Sequence, residues 1–163
     1  MAEEHSFDIV SKVDFQEVEN ALSQTRKEIG QRYDFKSTRV EITREKEKIT
    51  VVTENEFKLH AVIDIIQNRF VKRAVPLKNI QYSKPEAAFG GTIRQVLTIT
   101  TGIPLEKSKE IVKDVKDKKF KVQSSMQGDQ IRVWSKSKDE LQKVIQFLRE
   151  KDYGLELQFA NYR

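Results

Sequence analysis

Three side chains in the second half of the chain combine an aromatic ring with positive charge, as nucleotide sites do. Ile131 and Val133 alternate with Arg132 and Trp134, so aliphatic side chains facing a core leave the other two pointing outward. By the same alternation, Lys121 on the preceding segment shares that outward face. Tryptophan can stack on a base while the two cations hold its phosphate. The pattern predicts a nucleotide- or RNA-binding surface; alternatively, this single tryptophan is covered by another part of the protein.

A second group of cations comes at the end of a predicted helix. Arg69, Lys72 and Arg73 lie within about one turn of each other and could converge on an anion. The alternative interpretation is that they stabilise the C-terminal end of the helix through its dipole. A lysine-rich stretch at 107–116 is interleaved with acidic residues, which is typical of a solvated helix face.

No set of residues has the spacing of a catalytic or metal site. The chain has no cysteine and two histidines, His5 and His60, which excludes thiolate chemistry, disulfides and Cys-based or all-His metal sites. The segment Phe89-Gly90-Gly91-Thr92 lacks the spacing of a phosphate-binding loop or a dinucleotide fingerprint. No nucleophile–base pair stands out among the acidic residues. We therefore expect a protein that is not an enzyme, with no catalytic residues, metal site or cofactor.

The charge of the chain is concentrated in its second half. Residues 82–163 hold 16 basic and 11 acidic side chains, whereas residues 1–81 hold 14 of each, so the second half carries the whole formal charge of +5. This asymmetry favours an anionic partner. No stretch approaches the ~20 apolar residues that cross a bilayer, and the first residues do not form a signal peptide pattern. We expect a cytoplasmic protein without membrane contact.

The elements that would position these side chains follow one order twice. In each half, a helix with a three- and four-residue apolar spacing is followed by a hairpin and a second helix, with the hairpin turns near Glu45 and Gly128. Asp14 and Ser137 are predicted helix caps. Extended segments flank the repeats, at 6–12, 77–82, 92–100 and 155–159.

This order predicts an α+β protein of two tandem ferredoxin-like units. Each unit would be a four-stranded antiparallel sheet with two helices on one face. The polar segment 83–91 is the predicted linker.

Several segments of the chain resemble the YajQ family of bacterial proteins. They are Ser6–Ser11 with Val13-Asp14, Arg32–Lys36, Lys118–Val122 with Gln127–Asp129 and Ile131–Val133, Asp139–Gln142, and Gln158–Arg163. The resemblance spans nearly the whole chain. It implies two ferredoxin-like, RNP-like domains that exchange their first strands. The first would cover residues 13–101 and include the strand at 92–100, and the second would cover 1–12 plus 102–163.

The resemblance also implies nucleotide or nucleic-acid binding without catalysis. In some members it implies recognition of cyclic di-GMP by a protein that contacts a transcription factor and DNA. We therefore expect the ligand to be a nucleotide, such as cyclic di-GMP or GTP, or RNA. The alternative is a protein–protein interaction adaptor without a nucleotide ligand, because RNA-binding sheets of this shape carry two or three stacking aromatics and the first hairpin offers none outward.

Overall fold

A computed structural model describes residues 4–163, which form nine β-strands and four α-helices. The strands are β1 (His5–Val10), β2 (Val40–Glu45), β3 (Lys48–Thr53), β4 (Ile80–Tyr82), β5 (Glu86–Ala88), β6 (Thr92–Ile99), β7 (Gln123–Gln127), β8 (Gln130–Ser135) and β9 (Gln158–Ala160). The helices are α1 (Phe15–Gln31), α2 (Glu56–Lys72), α3 (Leu105–Asp117) and α4 (Lys138–Arg149). None of these helices combines the length and apolar character that a membrane span requires.

Two helices begin at the predicted caps. The Asp14 carboxylate accepts a hydrogen bond from the Gln16 amide at 2.9 Å, and the Ser137 hydroxyl accepts one from the Glu140 amide at 3.3 Å. Such caps satisfy amide groups that have no carbonyl partner within the first helical turn. Both capping predictions are confirmed.

The chain divides into two compact units, and Val13–Thr100 form the one we call the central unit. Its antiparallel sheet has the strand order β2-β3-β6-β4, and β5 also pairs with β6. Helices α1 and α2 bury their apolar faces against one side of this sheet. Val18, Leu22, Ile66, Ile49 and Leu97 are fully buried in the resulting core.

The other compact unit, the terminal unit, joins the described residues up to Lys12 with Thr101–Arg163. Its antiparallel sheet has the order β7-β8-β1-β9, so β1 lies between β8 and β9. Side chains of β1, β8, α3 and α4 share its core, including the fully buried Phe7, Ile111 and Leu148. The predicted α+β fold with two antiparallel sheets is confirmed. The exchange of first strands implied by the family resemblance stays a prediction.

The predicted linker at 83–91 belongs to the sheet of the central unit. Residues Glu86–Ala88 form β5 and pair with β6, and the Glu86 carboxylate accepts a 3.0 Å hydrogen bond from Arg94 on the opposed strand. The linker prediction is wrong. The polar composition of this segment indicates that it is exposed to solvent, but an exposed segment can still pair as a strand.

Two predicted strands begin later than the apolar alternation indicates. Strand pairing starts at Gln123 in β7 and at Gln158 in β9. The preceding residues Phe120, Val122 and Leu157 pack against the core, and Leu155 lies within it. Their alternation correctly indicates burial, but burial does not require a hydrogen-bonded neighbour.

Candidate nucleotide-binding site

Strand register places Arg132 and Trp134 on the side of the terminal sheet that faces away from α3 and α4. Ile131 and Val133 are buried in the core with 1% and 0% exposure, which leaves their neighbours in β8 on the opposite side. Directly opposed residues of adjacent strands share a face. The helix-free face of the terminal sheet therefore includes Gln123, Ser125, Arg132, Trp134, Ser6 and Asp8. The predicted orientation of Arg132 and Trp134 is confirmed.

An open-sided groove of about 480 Å³ lies beside Trp134. Lys121, Gln123, Lys136 and Glu4 are among the other residues that line it. Trp134 is half-buried, whereas both lysines are exposed. The residues opposite the indole across the sheet are Gln123 and Ser6, which are neither aromatic nor charged. The structure thus brings Lys121 and Trp134 together, and it adds Lys136, which the sequence analysis did not single out.

The backbone of Lys121 is held in place from both sides. Its carbonyl accepts a 2.7 Å hydrogen bond from the Ser135 hydroxyl, and its amide donates a 2.9 Å hydrogen bond to Glu140 Oε1. The bond from the Lys121 amide, followed by the ion pair with Lys143 at 2.9 Å, lowers the pKa of the Glu140 carboxyl. The carboxylate form that accepts both bonds is therefore favoured. These contacts anchor the start of the Lys121 side chain at the edge of the groove.

Arg132 has a partner that the sequence analysis did not predict. Its Nε donates a hydrogen bond to Asp8 Oδ1 at 2.9 Å across the β1–β8 pair, and the Asp8 side chain is only 1% exposed. Asn161 Nδ2 donates a further hydrogen bond of 2.7 Å to Asp8 Oδ2. The charge of Arg132 is thus neutralised by a buried carboxylate. In this arrangement Arg132 holds β1 against β8, and its predicted role as a nucleotide contact stays a prediction.

Asp8 makes the stability of the terminal unit depend on pH. The hydrogen bond from Arg132 lowers the pKa of Asp8, against the opposing effect of burial. A lowered folded-state pKa adds stability above the ordinary value of about 4, and this stability is lost as the pH falls through the folded-state value. We therefore expect the difference in unfolding free energy between wild type and Asp8→Asn to shrink from pH 5 toward pH 2.

Thermal unfolding followed by tryptophan emission measures this difference, because Trp134 is the only tryptophan and lies in the terminal unit. Asp117→Asn is the matched control, because it makes the same change at an exposed carboxylate of the same unit. A wild-type advantage over Asp8→Asn that is constant across this pH range would contradict the expectation.

Two of the cations at the end of α2 form ion pairs within the central unit. Arg69 Nη2 contacts Glu28 Oε1 at 2.6 Å, and Arg73 Nη1 contacts Glu17 Oε2 at 3.4 Å. Both carboxylates belong to α1, so these arginines join the two helices of the central unit. Lys72 is exposed and has no ion pair with any residue between 4 and 163. Two of the three charges are thus paired within the unit, and the convergence of these side chains on one anion stays a prediction.

The helix-free face of the central sheet has a different composition. Register assigns to it the side chains Glu41, Thr43, Glu45, Lys48, Thr50, Val52, Arg94, Val96 and Thr98 from its three longer strands. None of these described side chains is aromatic, so this face has no ring on which a base could stack. Among the two sheets, the terminal one is therefore the better candidate for nucleotide contact.

Comparison with known proteins identifies relatives along nearly the whole chain. Residues 5–163 match the model of the family described as "Nucleotide-binding protein YajQ-like". A protein of Geotalea uraniireducens named "Nucleotide-binding protein" is 56% identical over 158 residues, covering 97% of this chain and 98% of the relative. A protein of Desulfitobacterium hafniense with the same name is 52% identical over 163 residues, covering all of both chains. With a family match and relatives of this extent, the chain belongs to the YajQ family.

Proposed function

We propose that this protein binds a nucleotide or single-stranded nucleic acid, without catalysis, on the helix-free face of its terminal sheet. The observation that carries the proposal is the groove in which the half-buried Trp134 lies beside the exposed Lys121 and Lys136. The names of its relatives support the same ligand class.

Each part of the groove has a separate role in this proposal. The indole of Trp134 offers a flat apolar surface for a base, an interaction that contributes roughly 1–3 kcal/mol per base. Lys121 and Lys136 offer positive charge for a phosphate group at one end of the groove. The amide of Gln123 lies opposite Trp134 in the sheet and can donate and accept hydrogen bonds at the edge of a base.

The family resemblance makes cyclic di-GMP one candidate ligand, with GTP and RNA as the others. A member that recognises cyclic di-GMP would act as an effector, and a transcription factor would then be its partner. This finer assignment rests on the resemblance, whereas the groove supports binding of a base and a phosphate in general.

Fluorescence titration tests the proposal directly. Binding of a base against the indole is expected to quench Trp134 emission when GTP, cyclic di-GMP or a short single-stranded RNA is added in parallel. Because Trp134 is the only tryptophan, the signal comes from the proposed site. If none of the three ligands changes the emission and calorimetry detects no heat of binding, the nucleotide proposal is wrong. An adaptor would then be favoured, and a protein partner recovered by pull-down would support it.

The two groove lysines are expected to make RNA binding dependent on salt. Neutralising a phosphate releases counterions, so the affinity falls as salt concentration rises, with a logarithmic slope of about 0.7 per contact on a single strand. The double variant Lys121→Gln/Lys136→Gln should therefore lower the magnitude of the slope by about 1.4 in a titration of short RNA.

A double variant with the same change in net charge serves as the control. Lys109→Gln/Lys113→Gln alters two exposed lysines of α3 that do not line the groove. It should leave the slope close to that of the wild type. Equal slopes for both double variants would show that the phosphate contacts lie elsewhere.

A further inference from the structure

The segment that follows β9 carries one more residue than the strand it pairs with. Asp8 of β1 is opposite Ala160, whereas Ser6 exchanges backbone hydrogen bonds of 3.2 and 3.0 Å with Arg163. Two steps along β1 are thus matched by three steps along the C-terminal segment. The extra residue is a β-bulge, and Asn161 within it has a left-handed φ of 56°.

The bulge decides where the last two side chains point. Tyr162 lies on the core side, with its ring centroid 6.2 Å from that of Phe7. Arg163 is opposite Ser6 and therefore shares the helix-free face with Trp134. Asp8 lies on this face as well. Its pKa is lowered mainly by the Arg132 hydrogen bond and, to a smaller extent, by the charge of Arg163, as expected if Arg163 is on the same face.

Across the sheet, Arg163 and Lys121 lie on opposite sides of Trp134. Across the helix-free face, the residues follow the order Gln123, Trp134, Ser6, Arg163. Two strand spacings separate the backbones of Trp134 and Arg163, a distance of about 10 Å that an arginine side chain can largely bridge. Arg163 is exposed and has no ion pair with any other residue that the structure describes. Its charge is available to a ligand.

We propose that Arg163 is a second phosphate contact of the nucleotide site, on the side of Trp134 away from Lys121. A base stacked on Trp134 would then have phosphate-binding cations on both sides. The ligand that fits this arrangement is a nucleotide unit with phosphates at both its 5′ and 3′ positions, as within single-stranded RNA. This inference rests on the proposed function and extends it to a ligand class.

Two isomeric nucleotides separate this arrangement from binding at one side only. Guanosine 3′,5′-bisphosphate and guanosine 5′-diphosphate contain the same atoms, but only the first has phosphates on both sides of the base. Calorimetry on the full chain should give a bisphosphate affinity about two- to fivefold higher, the range of one exposed ion pair. In Arg163→Gln the two affinities should become equal.

Lys138→Gln is the matched control. Lys138 and Arg163 both line a different groove of about 430 Å³, which also contains Leu141 and Ile145 of α4. The preference for the bisphosphate should survive in Lys138→Gln. Loss of the preference there, with retention in Arg163→Gln, would place the second phosphate in that other groove and overturn the inference.

The remaining outcomes separate this inference from the proposed function. If the wild type binds both isomers with equal affinity and Trp134 emission is quenched, the second contact is wrong while the nucleotide site stands. If neither isomer binds and GTP, cyclic di-GMP and RNA also fail, both proposals are wrong.

Discussion

Replacing Phe7 by alanine is expected to lower the unfolding free energy of the terminal unit by about 3–5 kcal/mol. Phe7 is fully buried, and its ring lies 5.9 Å from Phe159 and 6.2 Å from Tyr162, measured between centroids. Removing the ring leaves a cavity between β1 and the C-terminal segment, and a core that relaxes only partially loses the packing contacts of the ring. Denaturant unfolding followed by Trp134 emission measures the loss, because the indole is in the same unit.

Ser6→Ala is the control for this prediction. Ser6 neighbours Phe7 but points to the helix-free face. Within residues 4–163, the Ser6 side chain forms no hydrogen bond. A surface change of this kind is usually worth less than about 0.5 kcal/mol. A loss below about 1 kcal/mol for Phe7→Ala would mean that β1 does not contribute to this core as the structure has it.

Trp134→Ala is expected to weaken GTP binding by roughly 5- to 150-fold, which corresponds to the loss of about 1–3 kcal/mol of stacking. Trp134→Phe retains an aromatic face and should lose distinctly less affinity. Calorimetry is the suitable measurement, because both variants remove the only tryptophan fluorophore. Circular dichroism establishes that each variant is folded before its affinity is compared.

A matched aromatic truncation in the central unit controls for a general loss of surface. Phe89 is 95% exposed and does not line the Trp134 groove, so Phe89→Ala should leave the GTP affinity unchanged. Equal GTP affinities for wild type and Trp134→Ala would show that the base does not stack on Trp134. Equal losses in Trp134→Ala and Trp134→Phe would instead indicate that the indole nitrogen is the contact.

The arrangement of the terminal unit separates residues that support the site from residues that face the ligand. Arg132, Asp8 and Asn161 use their polar groups on each other, which joins β8, β1 and the C-terminal segment. Trp134 and Lys121 remain accessible on the surface that these contacts hold together. Mutation of Arg132 would therefore lower stability before it tests binding, and the lysines and Trp134 are the better probes of function.

The sequence around Asp8 contains a signal for its ion pair. Asp8 lies in the apolar segment Ser6–Val10, between the core residues Phe7 and Ile9. A carboxylate in such a strand needs a partner when it is buried. The same alternation that placed Arg132 outward also placed Asp8 outward, so a cation on a neighbouring strand was the natural candidate. The alternation does not show which strand lies next to β1, so it cannot identify the partner of Asp8.

The sequence by itself determined which side chains of β8 face the core, where two helices begin, and that the chain repeats one α+β pattern twice. These features depend on residues a few positions apart, through the two-residue period of strands and the capping of first-turn amides. Tertiary structure alone decided which charges are available. Arg132 meets Asp8 across 124 positions, Arg69 meets Glu28 across 41, and the bulge at Asn161 places Arg163 on the same sheet face as Trp134. Strand register and helix packing join distant segments, and local periodicity contains no information about that distance.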